Sequence, residues 1–295
     1  MDKKNREKIL KAGKIAKQVR EYAEQIIKEN ISLLEIAEKI EAKIKELGGK
    51  PAFPTNLCIN DIAAHYTPSY NDESIANGLL KIDLGVQIDG WIADTAFSLD
   101  LEGKEENKKL IDASKKALDN SIKIIKKGTP LNQIGKTIQD TIESFGFSPI
   151  KNLSGHSLEQ YDLHSGITIP NIDDKKNILI EEGLFAIEPF ATSGAGKIYE
   201  GKPSGIYALI NHRNIRDSTA REILQFIKEE YKTLPFCSRW IVKKFGTKAL
   251  FRLKQLENNG NLHQFPQLIE LLKAKVAQTE HTILIGEQDV IVTTK

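Results

Sequence analysis

Apolar residues return every three or four positions between residues 2 and 29 (Ile9, Ala12, Ile15, Ala16, Val19, Tyr22, Ala23, Ile26, Ile27), which predicts a long amphipathic helix with a solvated Lys/Glu face. A second helix follows. Ser32-Leu-Leu-Glu35 forms a capping box, Ile36 and Ile40 carry the stripe, and Gly48-Gly49 with Pro51 stop it. Residues 51–68, PAFPTNLCINDIAAHYTP, hold three prolines that bar a continuous helix, so this stretch is expected to be irregular and strand-like. The period then changes to two. In residues 81–100, KIDLGVQIDGWIADTAFSLD, two alternating runs flank Asp89-Gly90, a dipeptide suited to the positive φ angles of a two-residue type I′ turn. That turn sets Ile88 opposite Trp91, Gly85 opposite Asp94 and Asp83 opposite Ala96. Ile82, Leu84, Val86 and Ile88 share one face with Trp91, Ala93, Thr95 and Phe97, while Asp83 and Asp94 are diagonal neighbours on the other, with Cα atoms roughly 7–8 Å apart.

Helices are predicted again over 105–127 and 131–145, separated by Gly128-Thr-Pro130. NLSGHSLEQYDLHSG, residues 152–166, has no helical stripe and sets His156 and His164 eight apart in a loop-and-strand context. LFAIEPFA, residues 184–191, reads as a short apolar strand interrupted by Glu188, and Pro189 marks an edge or a strand end. Between residues 211 and 275 thirteen Lys/Arg face six Asp/Glu, a net charge of +7 in a chain whose total is +2. Three short helices are expected there, the first capped by Ser218, then PFCSRWIVKKF and TKALFRLKQLE, followed by a wing-like extended piece. Either a solvated basic face or a nucleic-acid contact fits this charge. Residues 279–285 and 290–293 form a closing hairpin, with Glu280 and His281 on opposite faces.

Composition narrows the classes. A chain of 295 residues, 40% of them hydrophobic, can build one large domain or two ordinary ones, and 42 basic against 40 acidic residues announce no bulk nucleic-acid or membrane partner. No apolar run reaches the length of a membrane span and MDKKNREKIL has no signal-peptide core, so a cytoplasmic protein is expected. Cys58 and Cys237, without CxxC spacing, read as small core residues. The absence of a Walker loop, GxGxxG, GxSxG and HExxH removes the common phosphate, dinucleotide, serine-hydrolase and zincin readings.

What remains is a set of carboxylates and imidazoles. Two aspartates as close as Asp83 and Asp94 raise each other's pKa unless a cation lies between them, although a solvated polar face is the plainer alternative. Glu188 inside an apolar strand needs a cation or exposure, because an unpartnered buried charge costs several kcal/mol. His65, in IAAHYTP, reads equally as a core histidine. Asp83, Asp94, His156, Glu188 and Glu280 together offer four carboxylates and one imidazole, a donor set that suits a pair of divalent first-row ions such as Mn, Fe or Co. A water shared by such a pair is acidic enough to supply hydroxide near neutral pH.

IDLGVQIDGWIADTAF, NLSGHSLEQYDLHSG, GLFAIEPFAT and AQTEHTILI, in this order, resemble the successive metal-site segments of the methionine aminopeptidases, which have the pita-bread fold. The resemblance covers essentially all 295 residues, PAFPTNLCINDIAAHYTP included. The basic helical stretch, with KTLPFCSRW inside it, resembles the insertion of the type 2 subfamily, and the start without a long charged extension is similar to the short archaeal form. The resemblance implies an α+β pita-bread fold, a curved antiparallel sheet with outer helices and pseudo-twofold symmetry, formed by residues 1–207 and 272–295, with an inserted winged-helix-like helical subdomain over 208–271. It implies that Asp83, Asp94, His156, Glu188 and Glu280 hold two divalent cations (Co, Mn, Fe, Zn or Ni), with Asp94 and Glu280 bridging. It further implies that Glu188 shuttles a proton, that His65 and His164 face the substrate and act in catalysis, and that Phe53, Leu163 and Phe265 line a methionine pocket. Thr279 departs from the family, which usually has an aromatic residue before Glu-His-Thr. The implied activity is removal of methionine from nascent polypeptide N-termini when the second residue is small, by attack of a metal-activated hydroxide on the first peptide bond. The implied protein is a cytoplasmic monomer with no membrane partner, no specific DNA and a transient ribosome contact through its basic insertion. A proline dipeptidase or aminopeptidase P shares the ligands but lacks such an insertion. A non-catalytic RNA- or ribosome-binding relative is expected to have lost ligands, and all five are present here.

Overall fold

A computed structural model describes residues 2–295. Helix α1 (Lys3–Ile26) starts at Asp2, whose side chain accepts the Asn5 N–H, and α2 (Leu33–Glu46) starts at Ser32, whose hydroxyl accepts the Glu35 N–H. Each cap satisfies one of the backbone donors that a helix start leaves free. Three short strands follow, β1 (Lys50–Pro51), β2 (Asn56–Ile59) and β3 (Ile62–Ala64), and then β4 (Leu79–Ile88) and β5 (Trp91–Asp100), the long hairpin. Its register runs from Leu79↔Asp100 to Ile88↔Trp91, with Gly85↔Asp94 and Asp83↔Ala96 as the turn requires. Asp89 (φ 50°) and Gly90 (φ 85°) both take the left-handed conformation of a type I′ turn. The apolar face of the hairpin, Ile82, Leu84, Val86, Ala93 and Phe97, packs on Ala12, Ile15 and Val19 of α1 and Ile36, Ile40 and Ile44 of α2.

A matching layer follows. Helices α3 (Glu105–Ile124) and α4 (Leu131–Ser144) lead to β6 (Ser148–Pro149), β7 (Ser154–Leu158), β8 (Thr168–Pro170), β9 (Gly183–Ile187) and β10 (Phe190–Thr192). The apolar stretch 184–191 is thus two strands. β9 lies between β7 and the later β15, whereas β10 pairs with β6 in another sheet. Pro189 has no N–H to offer a ladder, so the chain changes sheet at Glu188-Pro189. Leu110, Ala117, Ile134 and Ile138 of the helices bury against Phe185 and Ile187 beneath them.

Strand β11 (Ile198–Leu209) then leaves the body, and helices α5 (Ser218–Glu230), α6 (Ser238–Phe245) and α7 (Ala249–Asn258) surround a core of Ile223, Ile227, Phe236, Ile241, Leu253 and Leu256. Asp217, not Ser218, caps α5, its Oδ1 accepting the Ala220 N–H at 2.7 Å. Phe236–Cys237 form β12, which pairs with β11, so α6 begins only at Ser238. The extended piece is β13 (Leu262–Glu270), paired with β11 along most of its length and with β3 at its end. The helices are fastened to α2 by a buried ion pair. Both terminal nitrogens of Arg239 donate to the Glu41 carboxylate at 2.8 Å, and Trp240 Nε1 donates to it as well.

The last strands, β14 (Val276–Gln278), β15 (His281–Ile285) and β16 (Val290–Val292), return to the body. β15 and β16 form the closing hairpin. β15 and the residue before it also meet β5: the Asp94 N–H donates to Thr282 Oγ1 at 2.7 Å, the Glu280 N–H donates to Ala96 O at 2.9 Å and Thr95 Oγ1 donates to Glu280 O at 2.9 Å. The two layers join along this seam. Cys58 and Cys237 are buried and unpaired, and burial raises both thiols to about 12.

Candidate active site

The seam between β5 and β15 collects the carboxylates. Asp94 is held at its own backbone, its N–H donating to Thr282 Oγ1 at 2.7 Å and its carbonyl accepting from the same hydroxyl at 2.8 Å. Glu280 is the residue before β15, and its backbone bond to Ala96 sets it beside Asp94. His156 lies mid-strand in β7, opposite Ala186 of β9, and Glu188 follows β9 by one residue. The imidazole Nε2 of His156 is 3.5 Å from Glu188 Oε1 and 3.9 Å from Asp94 Oδ2. Asp94, His156 and Glu280 each present a ligand atom within 4.8 Å of the others. Asp83, on the neighbouring strand, lines the same cavity as Asp94.

Four acidic side chains inside one protein interior repel each other and lose hydration together. Burial is the main cause that raises Asp83 to about 7 and lifts Asp94, Glu188 and Glu280 well above the usual carboxylate range. The charges of neighbouring carboxylates push Asp94, Glu188 and Glu280 further. Asp83 Oδ1, Asp94 Oδ1 and Glu280 Oε2 are buried without a hydrogen-bond partner. Burial lowers His156 to about 3, so the ring is neutral, the form in which imidazole binds a metal. Unpartnered buried oxygens beside a neutral imidazole form a donor set that fits hard or borderline divalent cations.

The same cluster lines a cavity of about 240 Å³. Phe53, His65, Asp83, Asp94, His156, Leu163, His164, Glu188, Phe265 and Glu280 all line it, so every site residue expected from sequence meets in one place. His65 has φ 63° and donates from Nδ1 to Pro266 O at 3.1 Å, and burial lowers it to about 4. A carbonyl can only accept, so Nδ1 carries the proton and Nε2 keeps a lone pair. His164 stands against His156, ring centroids 4.3 Å apart, with its pKa also lowered by burial. Gly85, the register partner of Asp94, leaves room for the pocket wall, since a Cβ there would lie 2.3 Å from Phe53 Cε1.

Two site residues escaped the sequence reading. Gln278 donates from Nε2 to Glu188 Oε2 at 3.2 Å, orienting that carboxylate. Its signal was its place two residues before Glu280, on the same side of an extended chain. Asn56 lines the cavity and is the register partner of Asp83. The proline-rich stretch around Asn56 fixes no register of its own, and so gave no comparable signal.

A buried cluster of carboxylates and imidazole lining a cavity is the arrangement a metal-dependent peptidase requires, and the chain belongs to metallopeptidase family M24, whose profile matches residues 7–287. It is 47% identical over 294 residues to the methionine aminopeptidase of Pyrococcus horikoshii, which covers 98% of this chain and 99% of that protein. Among solved structures it superposes on a thermophilic Arx1 with a TM-score of 0.85 at 15% identity, covering 99% of this chain and 91% of that one. It superposes on methionine aminopeptidase from Thermotoga maritima with a TM-score of 0.73 at 22% identity, covering 100% and 98%. At those identities the two structures establish the shared pita-bread architecture. Among the described residues no helix is long and apolar enough to cross a membrane.

Proposed function

We propose that this protein is a methionine aminopeptidase, a metal-dependent hydrolase that removes methionine from polypeptide N-termini when the second residue is small. The observation that carries the reading is the convergence of ten side chains, five of them the proposed metal ligands, on one cavity lined by residues with unpartnered buried oxygens. Full-length identity to proteins of that name supports the substrate class.

In this reading Asp83, Asp94, His156, Glu188 and Glu280 would hold two divalent ions drawn from Co, Mn, Fe, Zn and Ni. Bound there, divalent ions supply Lewis acidity and an acidified water. The chain's own residues do the rest. Phe53, Leu163 and Phe265 bury the methionine side chain, whose thioether suits an apolar and aromatic wall. His65, neutral with a free Nε2, accepts a hydrogen bond from the peptide flanking the scissile bond, and its ring restricts the second residue to a small one. His164 hydrogen-bonds the carbonyl oxygen that gains charge during attack. Glu188 shuttles the proton released during hydrolysis to the leaving amine. Residues 208–271 form an inserted unit, and their positive charge provides a transient ribosome contact outside the catalytic cavity. The protein works as a cytoplasmic monomer.

Protein loaded anaerobically with Co, Mn or Fe should release methionine from Met-Gly-Met and spare peptides with a bulky second residue. No release with any of these three ions, nor with Zn or Ni, refutes the reading. Asp94→Ala should abolish turnover while circular dichroism stays native, and retained turnover in that variant refutes the ligand assignment.

A further inference from the structure

Leu163 and His164 belong to no strand. They sit in the connection between β7 and β8, a setting that by itself leaves side chains mobile, yet His164 stands 4.3 Å from the His156 ring. The tip of this connection is fastened from three sides. Glu159 and Asp162 close it by exchanging backbone hydrogen bonds of 2.9 and 3.1 Å. Tyr161, at the tip, has φ 61°, a conformation that a non-glycine residue keeps only where its surroundings hold it.

Those surroundings are two other elements. On the hairpin turn, the Tyr161 N–H donates to Gly90 O at 2.9 Å and Gln160 Nε2 donates to Asp89 O at 2.8 Å. The Tyr161 ring covers Gly90 so closely that a Cβ there would lie 2.4 Å from Cδ2. After α5, the Lys232 ammonium lies 3.7 Å from the centroid of the Tyr161 ring, and the Thr233 hydroxyl donates to Tyr161 O. Tyr161 makes its own part of these contacts with its ring and backbone alone. The phenolic hydroxyl makes none of them.

We propose that Tyr161 is a positioning residue: it bolts the loop bearing Leu163 and His164 to the tip of the β4–β5 hairpin and to residues 232–233. The substrate-facing loop is thereby held in a fixed place relative to Asp83 and Asp94, which the same hairpin carries. Through Lys232 and Thr233 the helical segment reaches the catalytic cavity without lining it at those residues. The inference rests on the aminopeptidase reading and deepens it.

Tyr161→Phe keeps the ring, and Tyr161→Ala removes both the cover over Gly90 and the cation–π contact. Displacing a catalytic group by about 1 Å can cost roughly 100-fold in rate. Tyr161→Phe should therefore stay within about twofold of wild type, whereas Tyr161→Ala should lose on the order of 10- to 100-fold in kcat with little change in KM. Calorimetric affinity for Mn should stay within about threefold, because no proposed ligand lies on the loop tip. Hydrogen–deuterium exchange should rise in the peptide spanning residues 159–166 and not in the β4–β5 ladder. Unchanged kcat and exchange in Tyr161→Ala overturns the proposal, as does an equal loss in Tyr161→Phe or a parallel loss of Mn affinity. Should Tyr161→Ala fail to fold, Thr233→Val must show the same pattern more weakly, and no change in its kcat and exchange overturns the proposal. An inactive wild-type protein would sink the aminopeptidase reading instead, a result distinct from any of these.

Discussion

Replacing Asp83 with asparagine should change stability in opposite directions in the metal-free and metal-loaded protein. In the metal-free fold, burial raises Asp83 from 3.8 to about 7. A carboxyl group whose folded pKa lies above its unfolded value adds stability that is fully present below the unfolded pKa and lost as pH rises through the folded one. The window is therefore pH 4 to 7, and above about pH 8 the ionised Asp83 is a full liability. The shift is roughly 3 units, and at about 1.4 kcal/mol per unit the cost approaches about 4 kcal/mol at pH 8.5. For a chain of 295 residues, with an unfolding entropy of about 2.1 cal/mol/K per residue, that corresponds to about 6 °C in Tm. Asp83→Asn keeps the shape and removes the charge. Scanning calorimetry of chelator-treated protein should find the variant about 6 °C more stable than wild type at pH 8.5, with the two nearly equal at pH 4. With saturating Mn the order should reverse, since the ions bind wild type more tightly and stabilise it by mass action. A metal-free variant no more stable than wild type at pH 8.5, or a difference that does not vary with pH, refutes the electrostatic account of the cluster.

Two further substitutions probe the surrounding frame. Arg239 is 3% exposed and Glu41 5%, so Arg239→Met should cost about 3–5 kcal/mol in urea unfolding by leaving Glu41 charged and buried, and the double variant Glu41→Leu/Arg239→Met should regain most of it. Gly85→Ala forces Phe53 to shift in the cavity wall, and it should raise KM for methionyl peptides about tenfold or more with a smaller effect on kcat, as measured by steady-state kinetics.

Local patterns were legible wherever one chemical period dominated. The Asp89-Gly90 dipeptide fixed a ten-rung hairpin, because positive φ at both positions allows one tight turn and the side-chain period of two then leaves no freedom of register. The capping box at Ser32 and the glycine pair after α2 bounded a helix for equally local reasons. Where two signals overlapped the sequence misled. Asp217-Ser218 offers two competent caps in succession, and only the path of the chain decides that Asp217 receives the Ala220 N–H. The segment 184–191 has one apolar composition but two strand partners, a choice made by the sheets on either side of Pro189.

The sequence by itself determined the supply of chemistry: two aspartates on one face of a hairpin, a histidine and two glutamates beside later strands, and no competing nucleotide or serine-hydrolase motif. Side-chain period and turn type act over a few residues, so these facts survive without knowledge of the fold. The tertiary structure decided what the residues do to one another. Asp94 and Glu280 are 186 positions apart and meet only because β5 and β15 share a seam, and it is the burial of that seam that lifts the carboxylates far enough to call for a cation. The role of Gln278, the neutral tautomer of His65 and the grip of Tyr161 on Gly90 likewise arise from contacts between distant segments, whose energies depend on exclusion of water and on distances that no local pattern encodes.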